Sequence, residues 1–252
     1  MIRLPPSLFR RPAEPKTIAV AVGDAVYAVR VSRNRRARRY TLRIHAASRE
    51  AVLTMPLRGN LADASRFAQA HGDWLAKRFD QLPAIAPFVD GAIVPLRGVA
   101  HRLTHRAQTR GTVWLEQARD DGDPLLCVAG NRAHVARRVR DFLKREARRD
   151  LEAAVARYAA RLEVKPRRLS IRDQTSRWGS CNSSGVLSFS WRLILAPPAV
   201  LDYLAAHEVA HLVEMNHSAR FWTLVKRICP ATDEATRWLD ANGNALHRYG
   251  AD

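Results

Sequence analysis

The segment PPAVLDYLAAHEVAHLVEMNH, residues 197–217, constrains this chain more than any other stretch. Pro197 and Pro198 suit the first turn of a helix, where the missing proline N–H would have had no partner. Leu201, Leu204, Ala205 and Leu212 then recur at helical spacing. On such a helix His207 and His211, four residues apart, stand about 40° apart around the axis, so both rings reach one point. Glu208 is turned about 100° from His207, toward the side where the leucines gather. Met215-Asn216 can end the helix, because asparagine tolerates the left-handed conformation, and the chain can return His217 to the same place. Ser218 can cap a further helix carrying Phe221, Trp222, Val225 and Ile228.

Three neutral imidazoles with one open position form the donor set of a catalytic zinc site. The spacing therefore predicts His207, His211 and His217 as ligands of one Zn2+ ion, with Glu208 as general base. Histidine pairs also arise on ordinary amphipathic helices. The glutamate inside HEVAH argues against a purely structural site, since holding zinc does not require it. Glu214 is a candidate partner for a ligand N–H or a solvated glutamate, and Cys181 a small buried residue or a fourth ligand. Phe221 and Trp222 read as core residues that pin the third histidine.

The chain has 252 residues, and its first ~130 read mostly as strands. TIAVAVGD and AVYAVRVS meet at a Gly-Asp turn, and YTLRIHA pairs with EAVLTMP. A helix is expected from Asn60 to about Gln81, packing Phe67, Trp74, Leu75 and Phe79. Further strands lie in IVPLRGVAHRLTHRA, TVWLEQA and PLLCVAG, with a turn in DDGDP. From about Asn131 the character changes: Val135, Val139, Phe142, Leu151, Val155, Tyr158 and Leu162 mark one face of a long helix that Pro166 ends. A hairpin comes next, LSIRDQTSRWGSC and VLSFSWRLILA around NSSG. No internal repeat is visible. The expected class is α+β, with a β-rich region at 1–130 and a metal-dependent hydrolase domain at 131–252.

The formal charge of +18 is large for this length. A basic surface attracts polyanions through counterion release, and RVSRNRRARRYTLR interleaves arginines with a tyrosine that could stack on a base. Nucleic-acid contact through the N-terminal half is one reading, and arginine used for solubility is the other. Cys127, Cys181 and Cys229 are too few and too scattered for a disulfide framework, which suits a reducing, cytoplasmic setting. No apolar run reaches the ~18 residues of a membrane span, and MIRLPPSLFRRPAEP has no secretory apolar core.

With HEVAHLVEMNHSARFW, SRWGSC and WRLILAPP, the sequence resembles the YgjP-like metallopeptidase family, related to the SprT and Spartan zinc proteases. RNRRARRYTLRI and HGDWLAKR extend the likeness into the N-terminal half. The resemblance implies a zincin-like C-terminal domain, zinc on His207, His211 and His217, Glu208 as the catalytic acid/base, and a protein or peptide substrate. Two departures stand out: Glu214 replaces the glycine of the long metzincin motif, and Ser190 stands where similar sequences often carry asparagine.

Arg177, Trp178 and Tyr203 are candidate substrate or oxyanion contacts, with His247 and Tyr249 as weaker ones. Each has an ordinary alternative, Arg177 in an ion pair and Trp178 in the core. The strand around Arg177-Trp178-Gly179-Ser180 is a candidate edge for an extended peptide. Two other functions fit the same residues. One is a metal-dependent phosphate-ester or nucleotide hydrolase; the other is a basic nucleic-acid-binding module with a structural zinc.

Overall fold

The computed structural model describes residues 15–45, 48–82, 84–117, 122–174 and 177–250. Most of the N-terminal segment MIRLPPSLFRRPAEP, and parts of the DDGDP and DQTSR stretches, lie outside these residues. The chain divides into two compact units, one ending at Leu82 and the other beginning after it.

In the first unit, β1 (Thr17–Val22), β2 (Ala25–Asn34), β3 (Thr41–His45) and β4 (Glu50–Pro56) form a sheet in the order β1-β2-β4-β3. β1 and β2 are antiparallel, β2 and β4 parallel, and β3 and β4 antiparallel. Period-two alternation buries Ile18 and Val20 on β1 and exposes their neighbours. These residues join Val29, Leu53, Met55, Ala64, Ala68 and Leu75 in a small core. The expected single helix is two: α1 (Leu61–Ala70) and α2 (Gly72–Asp80). The break falls at His71, whose backbone leaves helical geometry at φ −105° and ψ 19°. Gly72 sits against the sheet, where a Cβ would come 2.8 Å from Val22 Cγ2. Asn60 caps α1 by accepting from Ala62 N, and Asp63 pairs with Arg66. Phe67, Leu75 and Phe79 pack as expected, but Trp74 is exposed.

The second unit holds β5 (Ile93–Leu96), β6 (Val99–Arg106), β7 (Val113–Glu116) and β8 (Leu125–Ala129), ordered β5-β6-β8-β7. Its β6–β8 pair is parallel and the two outer pairs antiparallel, so it repeats the first sheet's topology. This sheet shares a core with α3 (Val135–Leu162) and lies in the same compact unit as that helix. Leu103, Leu126 and Val128 meet Val135, Val139, Phe142 and Leu143 there. Arg97, in the β5–β6 turn, ties the sheet to the same helix through Asp150 at 2.7 and 2.9 Å and Glu146 at 2.8 Å. The helix stops before Pro166, at Glu163, which takes the left-handed conformation with φ 56°.

The hairpin after α3 is part of a three-stranded sheet, β10-β11-β9. Its strands are β9 (Arg168–Arg172), β10 (Gly179–Cys181) and β11 (Val186–Ser190). β10 and β11 are antiparallel, whereas β9 and β11 run parallel. Ser190 is fully buried and caps the 3₁₀ turn Trp191–Leu195 by accepting from Arg192 N, a role suited to its short hydroxyl. Then come α4 (Pro198–Ala210), α5 (Ala219–Ile228) and α6 (Thr232–Leu246). All three cysteines are free thiols, and no helix of the described residues is long and apolar enough to cross a membrane.

Candidate metal centre

Pro198 opens α4 as its sequence requires, and the helix ends earlier than Met215-Asn216 would suggest, at His211. The next residues tighten, with Leu212 N bonded to Val209 O and Val213 N to Ala210 O. The loop then brings His217 back, so that His207 Nε2 lies 3.0 Å from His217 Nε2. One ring nitrogen from each of His207, His211 and His217 lies within 4.8 Å of the others, a group able to hold a metal ion.

The tautomers fit ligation. His211 Nδ1 stands 3.0 Å from the backbone carbonyl of Glu214, so donating there frees Nε2 for a metal. The carbonyl serves, and the Glu214 carboxylate has no part in the contact. Tyr203 Oη lies 3.4 Å from His207 Nδ1, one helical turn earlier. Burial and the mutual repulsion of the cluster push His207 down to about 4, keeping it neutral as a ligand must be.

Aromatic packing holds the rings together. Phe221 is fully buried, and its ring centre lies 4.4 Å from that of His211 and 4.9 Å from those of His207 and His217. It is therefore a common floor for all three imidazoles. Trp222 stacks on His217 at 5.7 Å. Ser218 caps α5 by accepting from Phe221 N at 3.3 Å, which starts the helix immediately after His217.

Glu208 is 4% exposed. Burial raises its carboxyl to about 8, against the opposing pull of Arg177 and of a backbone hydrogen bond from Cys181. Gly179 makes room for it: a Cβ there would lie 2.8 Å from Glu208 Cγ, 2.9 Å from Cδ and closer still to Oε1. A cleft of about 300 Å³ opens between β10 and the cluster, lined by Arg177, Gly179, Cys181, Glu208 and the three histidines, among others.

The remaining candidates separate clearly. Arg177 lines the cleft. Trp178 stacks on His247 at 4.9 Å and packs against Gly243, outside the cleft lining. Tyr203 is buried and touches a ligand candidate, while Tyr249 gives its carbonyl to Arg192. Cys181 lines the cleft but is not one of the clustered donors; burial and the nearby Glu208 charge raise its thiol to about 11. Phe221, expected to pin the third histidine, meets His207 and His211 as well, whereas the approach of Gly179 to Glu208 is long-range and carries no local signal.

Three imidazoles converge in one cleft on an α+β frame, a group able to hold a metal ion. The chain belongs to the YgjP-like metallopeptidase family, whose metallopeptidase domain matches residues 38–242. That span takes in all three histidines, Glu208 and β10. No curated protein and no solved structure matches the chain.

Proposed function

We propose that this protein is a zinc-dependent peptidase in which His207, His211 and His217 hold one zinc ion and Glu208 is the general base. The observation that carries the reading is the buried Glu208 carboxyl set beside three clustered imidazoles in one cleft. Burying an acid is costly, and a structural zinc site gains nothing from it.

Zinc, when bound, acidifies a water and polarises the scissile carbonyl. Glu208 takes the proton from the attacking water and passes it to the leaving amine as the C–N bond breaks. Positive charge in the cleft favours the carboxylate form that a base needs, opposing the burial that raises it. Cys181 N–H orients that carboxylate, and Gly179 lets it approach the strand.

β10 is positioned to align a peptide. Ser190 N bonds Trp178 O and Asn182 N bonds Val186 O, so Gly179 directs its own N–H and C=O to the open edge. An extended peptide can pair there, beside Glu208.

The decisive experiment is mass-spectrometric detection of new peptide termini in denatured protein substrates. New termini from the zinc-loaded wild type and none from Glu208→Gln support the reading. Termini that persist in the variant would remove Glu208 from the mechanism.

The charge supports a second, separable property. Arg35, Arg36, Arg38 and Arg39 are all exposed in the β2–β3 connection, and this run is the proposed contact for nucleic acid or another polyanion. Three free thiols suit a reducing, cytoplasmic setting.

A further inference from the structure

A second cavity, of about 470 Å³, is lined by Arg172, Asp173, Gln174, Arg177, Ser180 and Ser188. It shares Arg177 and Ser180 with the cleft that holds Glu208. Strand register explains the junction. Ser180 lies opposite Ser188, and Ser188 opposite Ser170, across the three strands. Arg172 is two residues beyond Ser170 and so stands on the same face, whereas Gly179 looks to the other face, toward Glu208.

The wall of this cavity offers donors and few free acceptors. Arg172 and Arg177 are exposed, and neither has an ion-pair partner among the described residues. The one acid in the lining, Asp173, lies 3.3 Å from the buried guanidinium of Arg192, so its charge is already matched. Gln174 Nε2 is buried and has no acceptor among the described residues. Ser188 Oγ lies 2.9 Å from Ser170 Oγ, a pair that can turn one proton outward.

We infer that this cavity is a substrate subsite for a peptide carboxylate, held by Arg172 and Arg177 with Gln174 and the serines. The inference rests on the peptidase reading. A peptide paired along β10 sends alternate side chains to alternate faces, so every second one is directed to the face of Ser180 and Ser188. A carboxylate there supplies the acceptors the wall lacks, and guanidinium groups hold it in charge-assisted hydrogen bonds. The carboxylate comes from an Asp or Glu side chain near the scissile bond or from the peptide's own C-terminus.

The test is binding of short peptides to zinc-loaded, full-length Glu208→Gln protein, read by calorimetry. One arm compares Glu with Gln at each position of an acetylated, amidated peptide; the other compares a free C-terminus with an amide. The subsite predicts about tenfold tighter binding of the carboxylate in one arm. That preference is lost in Arg172→Gln with Arg177→Gln, while zinc content and circular dichroism stay unchanged. Equal binding in both arms, no binding at all, or a preference that survives the arginine changes would overturn it. Parallel cleavage by the wild type separates the two ideas. Cleavage without charge preference removes the subsite alone; charge-selective binding without Glu208-dependent cleavage removes the peptidase reading and leaves a carboxylate site.

Discussion

The two four-stranded sheets have the same strand order and the same pattern of parallel and antiparallel pairs, yet only one belongs to the unit with a candidate centre. The difference lies in the helices attached to each sheet. After β4 come two short helices, of 10 and 9 residues, that complete a small core. After β8 comes a 28-residue helix long enough to serve both the β5–β8 sheet and α4. Topology sets a platform, and the chemistry comes from the elements stacked beyond it. Polar groups divide in the same way. In the first unit they are satisfied locally, as where Arg33 donates to the carbonyls of Leu57 and Gly59 at 2.7 and 2.9 Å. Among the described residues, every buried side-chain donor or acceptor without a partner lies in the second unit. Three clustered imidazoles and a buried carboxyl are there too.

Chelation tests that contrast most severely. Removing zinc should abolish turnover and lower the melting of the second unit alone. A ligand present at 100 times its Kd contributes about 2.7 kcal/mol of stability. Hydrogen exchange should therefore quicken in α4 and α5 while β1–β4 keep their protection; equal loosening of both units would break the comparison.

Gly179→Ala comes next in size. The added methyl group must displace Glu208, so turnover should fall by about a hundredfold, within the usual range for disturbing a general base, with zinc content unchanged. Near-normal turnover would show that the Gly179–Glu208 approach is not needed.

Acid should weaken the second unit through His247. Burial first, and then the Arg192 charge, lower its pKa to about 4, with Asp173 opposing. In the unfolded chain it takes up a proton near 6.5, so its contribution is fully present above about 6.5 and is lost as pH falls toward about 4. Burial shifts His207 and His211 in the same direction, so the comparison is His247→Phe, which retains an aromatic ring on Trp178. Its acid limb, tracked by near-ultraviolet dichroism, should be flatter than that of the wild type. An unchanged limb would assign the acid sensitivity to other groups.

The smallest effect on turnover is expected in the first unit. Replacing Arg35, Arg36, Arg38 and Arg39 together with Gln should weaken salt-dependent DNA binding and reduce its salt slope by about 3 to 4. Cleavage of an uncharged peptide should not change. Lost cleavage would join the two properties that the comparison keeps apart.

Much of the candidate site's geometry was legible in the sequence because its signals are local. Pro197-Pro198 start α4, four-residue spacing places His207 and His211 together, and Ser218 begins α5 directly after His217. Strand boundaries were legible from alternation and turns for the same reason. What stayed hidden depends on contacts far along the chain. The break at His71 is set by Gly72 against Val22, and the parallel pairing of β9 with β11 has no local mark. Likewise, nothing near Gly179 announces Glu208, and nothing near Trp178 announces His247. The shared sheet topology is invisible because strand order is a property of pairing, and unlike sequences can pair alike.

The most direct measurement is zinc content and turnover on the same samples of wild type, Glu208→Gln and His217→Ala. The account predicts one zinc per chain with cleavage in the wild type, one zinc without cleavage in Glu208→Gln, and loss of both in His217→Ala. Full zinc occupancy in His217→Ala, or cleavage by Glu208→Gln, would contradict it.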